Sequence, residues 1–233
     1  MTFDLVIFDC DGVLIDSEII SAKMLVAELE KLGVMIDLAY VATHFLGRSY
    51  PTVMNQIRAE FGLDLPPGFE VQYRENLLSA FATELQIMPH VRDVLARLDL
   101  PFCVATSSSP RRAETSLRLV GLDALTGPGL FTSTMVARGK PAPDLFLHAM
   151  AAMGVGDPAR CLVIEDSLNG IRAARAAGMQ VWRFTGGAHL STPAPDEPAD
   201  ARPDGRFASF ADFFQTVPGL RQKAPALRKP CPL

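Results

Sequence analysis

Four short apolar runs, at residues 5–8, 102–105, 161–164 and 181–184, are each followed by polar or glycine-containing sequence. Their length and apolar character predict buried parallel strands. Between the later runs the apolar period lengthens to that of a helix, at 91–98, at 111–120 before Gly121, at 144–153 before Gly154, and at 171–177 before Gly178. Glycine just past the last periodic residue is a helix stop. Strands alternating with helices predict right-handed crossovers and an α/β fold, a Rossmann-like, doubly wound parallel sheet.

The first interval breaks that rhythm. Residues 16–88 are far too long for one crossover and read as several helices: one carries the stripe Ile20, Met24, Leu25, Leu29 and Leu32, and others span about 51–61 and 69–81. Ser17 or Asp16 is the expected cap of the first. The predicted organisation is therefore a core of residues 1–15 and 89–220 with an inserted helical cap domain at 16–88. A surface loop is expected at 186–206, a last helix near 207–214, and a loose tail at 221–233, where prolines alternate with charges.

Composition narrows the partners. The chain has 233 residues, 48% of them hydrophobic, enough for a substantial core, and a net charge of −4. That balance lacks the basic excess of a nucleic-acid footprint and points to a small-molecule partner. No run is long and apolar enough for a membrane span, and nothing resembles an export leader. The four cysteines, Cys10, Cys103, Cys161 and Cys231, are sparse and not at paired spacings, as in a reduced, cytoplasmic protein.

Ligands of open parallel sheets bind beyond the carboxyl ends of the strands. There the sequence places Asp9-Cys10-Asp11-Gly12-Val13, Thr106-Ser107-Ser108, and Glu165-Asp166-Ser167, with Lys140 ahead of the helix beginning at Asp144. Carboxylates converging on one edge need a cation, and all-oxygen ligation points to Mg²⁺. A hard cation with a hydroxyl and a lysine suits a phosphoryl group. Asp9 and Asp11 flank one residue of an extended segment, which turns both carboxylates to one side, one to attack phosphorus and one to move the proton. Cys10, between them, should face the other way and pack. Ser107 or Ser108 competes with Thr106 as the hydroxyl donor. Taken singly, each feature has a plainer reading: an Asp-x-Asp is commonly a turn or cap, and Lys140 a solvated lysine. Their order along the chain selects the catalytic reading. His44, His90, His148 and His189 are scattered and suggest no metal cluster.

Asp9-Cys10-Asp11-Gly12-Val13, Thr106, Lys140-Pro141 and Glu165-Asp166 resemble the four ordered motifs of the haloacid dehalogenase-like hydrolase superfamily, over about residues 3–178. The helical insertion is similar to the cap of its sugar-phosphate subgroup, which includes beta-phosphoglucomutase and 6-phosphogluconate phosphatases. The resemblance implies a Mg²⁺-dependent phosphatase of a small phosphorylated metabolite, monomeric as the family often is. It implies that Asp9 is nucleophile and metal ligand, and that Asp11 is acid/base and ligates through its backbone carbonyl. Asp166 would complete the ligands and Glu165 would contribute through water. Thr106 would donate to the phosphoryl group and Lys140 would balance charge. Arg48 and Ser107 are the candidate substrate contacts. The alternatives are a sugar phosphomutase and an inactive ligand-binding protein on the same fold. Mutases of this type keep a histidine in the first cap helix, where this chain has Ser21, and a dehalogenase would lack Asp11.

Overall fold

A computed structural model describes residues 2–45, 48–190, 197–220 and 222–223. Its centre is strand β1 (Leu5–Phe8), whose four side chains are all fully buried. Strands β2 (Phe102–Thr106), β3 (Leu130–Thr132), β4 (Cys161–Glu165), β5 (Gln180–Phe184) and β6 (Gly205–Phe207) complete a parallel sheet in the order β3-β2-β1-β4-β5-β6. Val6 pairs with Phe102 on one side and Leu162 on the other, so β1 lies where the strand order reverses. That reversal opens a crevice at the carboxyl ends of β1, β2 and β4.

Alternation along β1 explains the two cores. Val6 and Phe8 face one side, with the helical insertion beyond, while Leu5 and Ile7 face the other, with Phe146, Ala149 and Ile171. Between β1 and the next core helix, α5 (Val91–Arg97), the chain forms α1 (Glu18–Glu30), α2 (Leu38–His44), α3 (Tyr50–Phe61) and α4 (Phe69–Glu84). Buried Leu25, Leu29, Tyr73 and Leu77 join α1 and α4 to the core. The remaining helices are α6 (Pro110–Leu119), α7 (Asp144–Ala152), α8 (Leu168–Ala176) and the short α9 (Phe213–Thr216). Among the described residues no helix is long and apolar enough to cross a membrane.

Four expectations are corrected. Strands β3 and β6 were not anticipated, because each has only three residues, set among glycines and polar residues. The expected loop at 186–206 ends in β6, so the last helix begins at Phe213 instead of near 207. Ser17 stands at the N-cap of α1 but makes no capping hydrogen bond; its hydroxyl is used elsewhere. In the expected tail, Gln222 and Lys223 are tied to the end of α5: Lys223 N donates to Arg97 O at 2.8 Å, and Arg97 Nη2 to Gln222 Oε1 at 2.5 Å. Residues 221 and 224–233 lie outside the described residues, as does Cys231.

Candidate active site

The strand ends bring Asp9, Asp11, Thr106, Glu165 and Asp166 together, all buried. Lys140, on the segment before α7, reaches behind them. Its Nζ donates to Asp9 Oδ1 at 2.5 Å, to Glu165 Oε1 at 2.7 Å and to Ala105 O at 2.9 Å. Burial works against the ammonium, but Asp9 and Glu165 outweigh it and raise its pKa, so Lys140 is a permanent cation. The other oxygen of Glu165 accepts from Asp166 N, Ser167 N and Ser167 Oγ at 2.8, 2.7 and 3.0 Å. Both Glu165 oxygens are thus engaged.

Carboxylate oxygens of Asp9, Glu165 and Asp166 lie within 4.8 Å of one another. Burial, then Glu165, Asp166 and Asp11, push the Asp9 carboxyl well above its ordinary range against the pull of Lys140. Asp166 is raised in the same way, first by burial and then by Glu165. Like charges crowded in a dry place favour a bound cation or a proton. Gly12, at φ +80°, leaves the room: a Cβ there would stand 2.2 Å from Asp166 Oδ2.

Asp11 sits in different surroundings. Its Oδ1 accepts from Ser17 Oγ at 2.6 Å and Arg112 Nη2 at 2.8 Å, and its Oδ2 from Ser108 Oγ at 2.6 Å and Thr106 Oγ1 at 3.3 Å. Burial alone would raise its pKa, but Arg112 and the Ser108 and Ser17 hydroxyls overcome this and hold it below the usual range. Two neighbouring carboxylates are therefore pushed in opposite directions, Asp9 toward its protonated form and Asp11 toward its anion. Ser108 approaches Asp11 more closely than Thr106 does, and Cys10 packs into the core as expected.

A cavity of about 760 Å³ lies between the strand ends and the insertion. Asp9, Asp166 and Ser107 line its core side, and Arg48, Tyr50 and Arg74 its helical side. Arg48 is exposed and donates to Gln56 Oε1 at 2.6 Å. Lys140 stays off the cavity wall, behind Asp9.

Three side chains at this site escaped the sequence reading. Arg112, on α6, is drawn inward by Asp11, and its guanidinium lies 5.3 Å from the centre of the Phe81 ring. His189, counted among scattered histidines, has Nε2 2.8 Å from Asp166 Oδ2, while the acidic donors within 4.8 Å of one another are Asp9, Glu165 and Asp166. The signal available was the pair Gly186-Gly187 after the fourth apolar run, which lets the chain fold back tightly. Burial holds the His189 pKa below its ordinary value.

Glu18, the third, opens α1 half-buried on the cavity wall. Burial first and Asp11 second raise its pKa from 4.5 to about 7. Between those values the folded chain binds more protons than the unfolded chain, so stability falls as pH rises through that window. Glu18→Gln should be more stable than the wild type above pH 7, by about 1–2 kcal/mol after allowing for partial solvent exposure, and equal to it below about pH 4.5. Urea unfolding in EDTA at pH 5 and pH 8 checks this; a difference independent of pH would contradict it.

The haloacid dehalogenase-like hydrolase family matches residues 3–178. A 6-phosphogluconate phosphatase of Escherichia coli is 29% identical over 185 residues, which span 79% of this chain and 83% of that protein. A solved haloacid dehalogenase-like protein of unknown function from Agrobacterium tumefaciens shares 35% identity at a TM-score of 0.76, covering 91% of this chain and 96% of that one. A haloacid dehalogenase family hydrolase from Deinococcus radiodurans, solved with bound phosphate and sodium, shares 31% identity at a TM-score of 0.70, covering 91% and 93%.

Proposed function

The chain belongs to the haloacid dehalogenase-like hydrolases, and on that premise we propose that it is a Mg²⁺-dependent phosphatase of a small phosphorylated metabolite, acting through a phosphorylated Asp9. The observation that carries this reading is the clamp of Lys140 on Asp9 Oδ1 at 2.5 Å beside the acidic group, at the floor of a cavity sized for a metabolite.

The residues present fit a hard divalent cation, with buried oxygen donors of Asp9, Glu165 and Asp166 close together and Gly12 allowing the backbone to approach Asp166 closely. Asp9, Asp166 and the Asp11 backbone carbonyl would hold Mg²⁺, and Glu165 would support them. Bound there, Mg²⁺ would neutralise charge on the phosphoryl oxygens and the carboxylates.

With Oδ1 held by Lys140, Asp9 attacks phosphorus through Oδ2, and the bond from phosphorus to the leaving oxygen breaks. Asp11 gives the leaving oxygen its proton, and then takes one from the water that attacks the phospho-aspartate, releasing inorganic phosphate and restoring Asp9. The contacts of Asp11 to Arg112 and Ser17 favour its anion, the form needed in the second half. For the first half it must take up a proton, and a substrate anion that draws Arg112 away favours that step. Thr106 and Ser107 hold the phosphoryl oxygens, and Arg48 contacts the remainder of the substrate from the helical cap.

The 6-phosphogluconate phosphatase relative supports a sugar-acid phosphate as the first substrate to try, followed by sugar and polyol phosphates. Phosphate release should be measured from a panel of these esters, including beta-glucose 1-phosphate with a glucose 6-phosphate readout. Release with Mg²⁺ should fall to background in EDTA and return when Mg²⁺ is added in excess. Equal release in EDTA would remove the metal from the reading, and isomerisation outpacing release would replace the phosphatase by a mutase.

A further inference from the structure

Arg183 puts a charge where the sheet needs none. It lies near the carboxyl end of β5, paired in register with Glu165 of β4, and Val181 and Phe184 on the same strand are apolar and buried. Its own side chain is 7% exposed. An aliphatic residue would cover the sheet equally well, and a buried cation is costly unless its donors are met.

Those donors point two ways. Nε donates to the backbone carbonyl of Asp166 at 2.9 Å, and Nη1 donates to Glu197 Oε1 at 2.8 Å. Glu197 is 3% exposed and is held in turn by Arg206 of β6, whose Nε donates to the same Oε1 at 2.9 Å and whose Nη2 donates to Oε2. A chain of charged groups thus runs from the edge strand β6, through Glu197 and Arg183, to the turn after β4.

That turn carries the site. Asp166 N and Ser167 N both donate to Glu165 Oε2, and the Asp166 carboxylate lies close to those of Asp9 and Glu165. The Asp166 carbonyl and the Ser167 N–H belong to one planar peptide, so a grip on the first also aims the second.

We propose that Arg183 is a positioning residue for Asp166: it fixes the backbone from which that carboxylate reaches the cation, and Glu197 aims Arg183. This rests on the metal reading above. The sign of the effect separates grip from charge. A buried positive charge repels a divalent ion, so removing the charge alone would tighten metal binding, whereas removing the grip loosens it.

The test is titration of the full chain with Mn²⁺, the free ion counted by electron paramagnetic resonance, for wild type, Arg183→Met, Glu197→Gln and Asp166→Asn. Affinity should fall by about tenfold or more in Arg183→Met and by less in Glu197→Gln. The Mg²⁺ concentration that gives half-maximal phosphate release should rise in step, with kcat at saturating Mg²⁺ close to that of the wild type. Far-ultraviolet circular dichroism identifies a variant that fails to fold. In that event the wild type carries the test by nuclear magnetic resonance: the Arg183 Nε proton should be protected from solvent exchange and its resonance should move when Mg²⁺ is added. Unchanged or tighter Mn²⁺ binding in folded Arg183→Met, or a freely exchanging Nε proton that ignores Mg²⁺, overturns the positioning role and leaves the metal site standing. Failure of the wild type to bind Mn²⁺, or equal binding by Asp166→Asn, overturns the metal reading and this proposal with it.

Discussion

Lys140→Ala should cost about 3–5 kcal/mol of folding stability, the loss expected when one partner of a buried ion pair is removed. The Lys140 side chain is 1% exposed and satisfies Asp9, Glu165 and the Ala105 carbonyl at once. Without it two buried carboxylates face each other with no cation between them. The loss should be larger in EDTA than in Mg²⁺, since a bound ion supplies some of the missing charge. Urea unfolding under both conditions measures this, and a loss below about 1 kcal/mol in EDTA would show that the carboxylates find another partner or a proton. Lys140→Arg should not restore the wild type, because a planar fork does not fit a pocket built around one compact ammonium.

Asp9→Asn should separate activity from stability. Phosphate release should fall at least about 10³-fold, as in other enzymes that lose their nucleophile. Folding stability in EDTA at pH 8 should equal or exceed that of the wild type. Burial and the neighbouring Glu165, Asp166 and Asp11 raise the Asp9 pKa in spite of Lys140. A carboxyl raised on folding contributes stability at low pH and loses it as pH rises through its folded-state value. Asparagine escapes that loss, and Lys140 keeps Glu165 as its partner. Activity near the wild-type level would remove Asp9 from the role of nucleophile. A variant clearly less stable than the wild type would mean that the Lys140 contact outweighs the repulsion.

Legibility in the sequence followed burial. Strands β1, β2 and β4 stand out because each is four or five residues long and almost wholly buried, so apolar residues dominate it, and β5 keeps Val181, Trp182 and Phe184 around Arg183. Strands β3 and β6 lie toward or at the sheet edges and need no such run. At the site, Asp9, Asp11, Thr106 and Glu165-Asp166 were readable because each follows or ends a strand whose place in the sheet was already determined. Arg112, Ser17 and His189 were not, because helix periodicity, capping preference and loop composition each offered a sufficient local explanation. What overrides them is tertiary: Asp11, buried and charged, recruits Ser17 from the start of the insertion and Arg112 from α6.

The position of β1 also sets a schedule for the ribosome. Its partners β2 and β4 are made roughly 100 and 150 residues later, so at about 5–20 residues per second the strand waits about 8–30 seconds for its second neighbour. Until β2 is made Leu5–Phe8, a segment with no charge of its own, has both hydrogen-bonding edges open, and until β4 is made one of them stays open. Helices α1–α4, which follow it and rest largely on local contacts, can form first and shelter one face of the strand. Slowing translation between α4 and β4 should therefore leave more nascent chain bound to holding chaperones, although the finished protein would be unchanged.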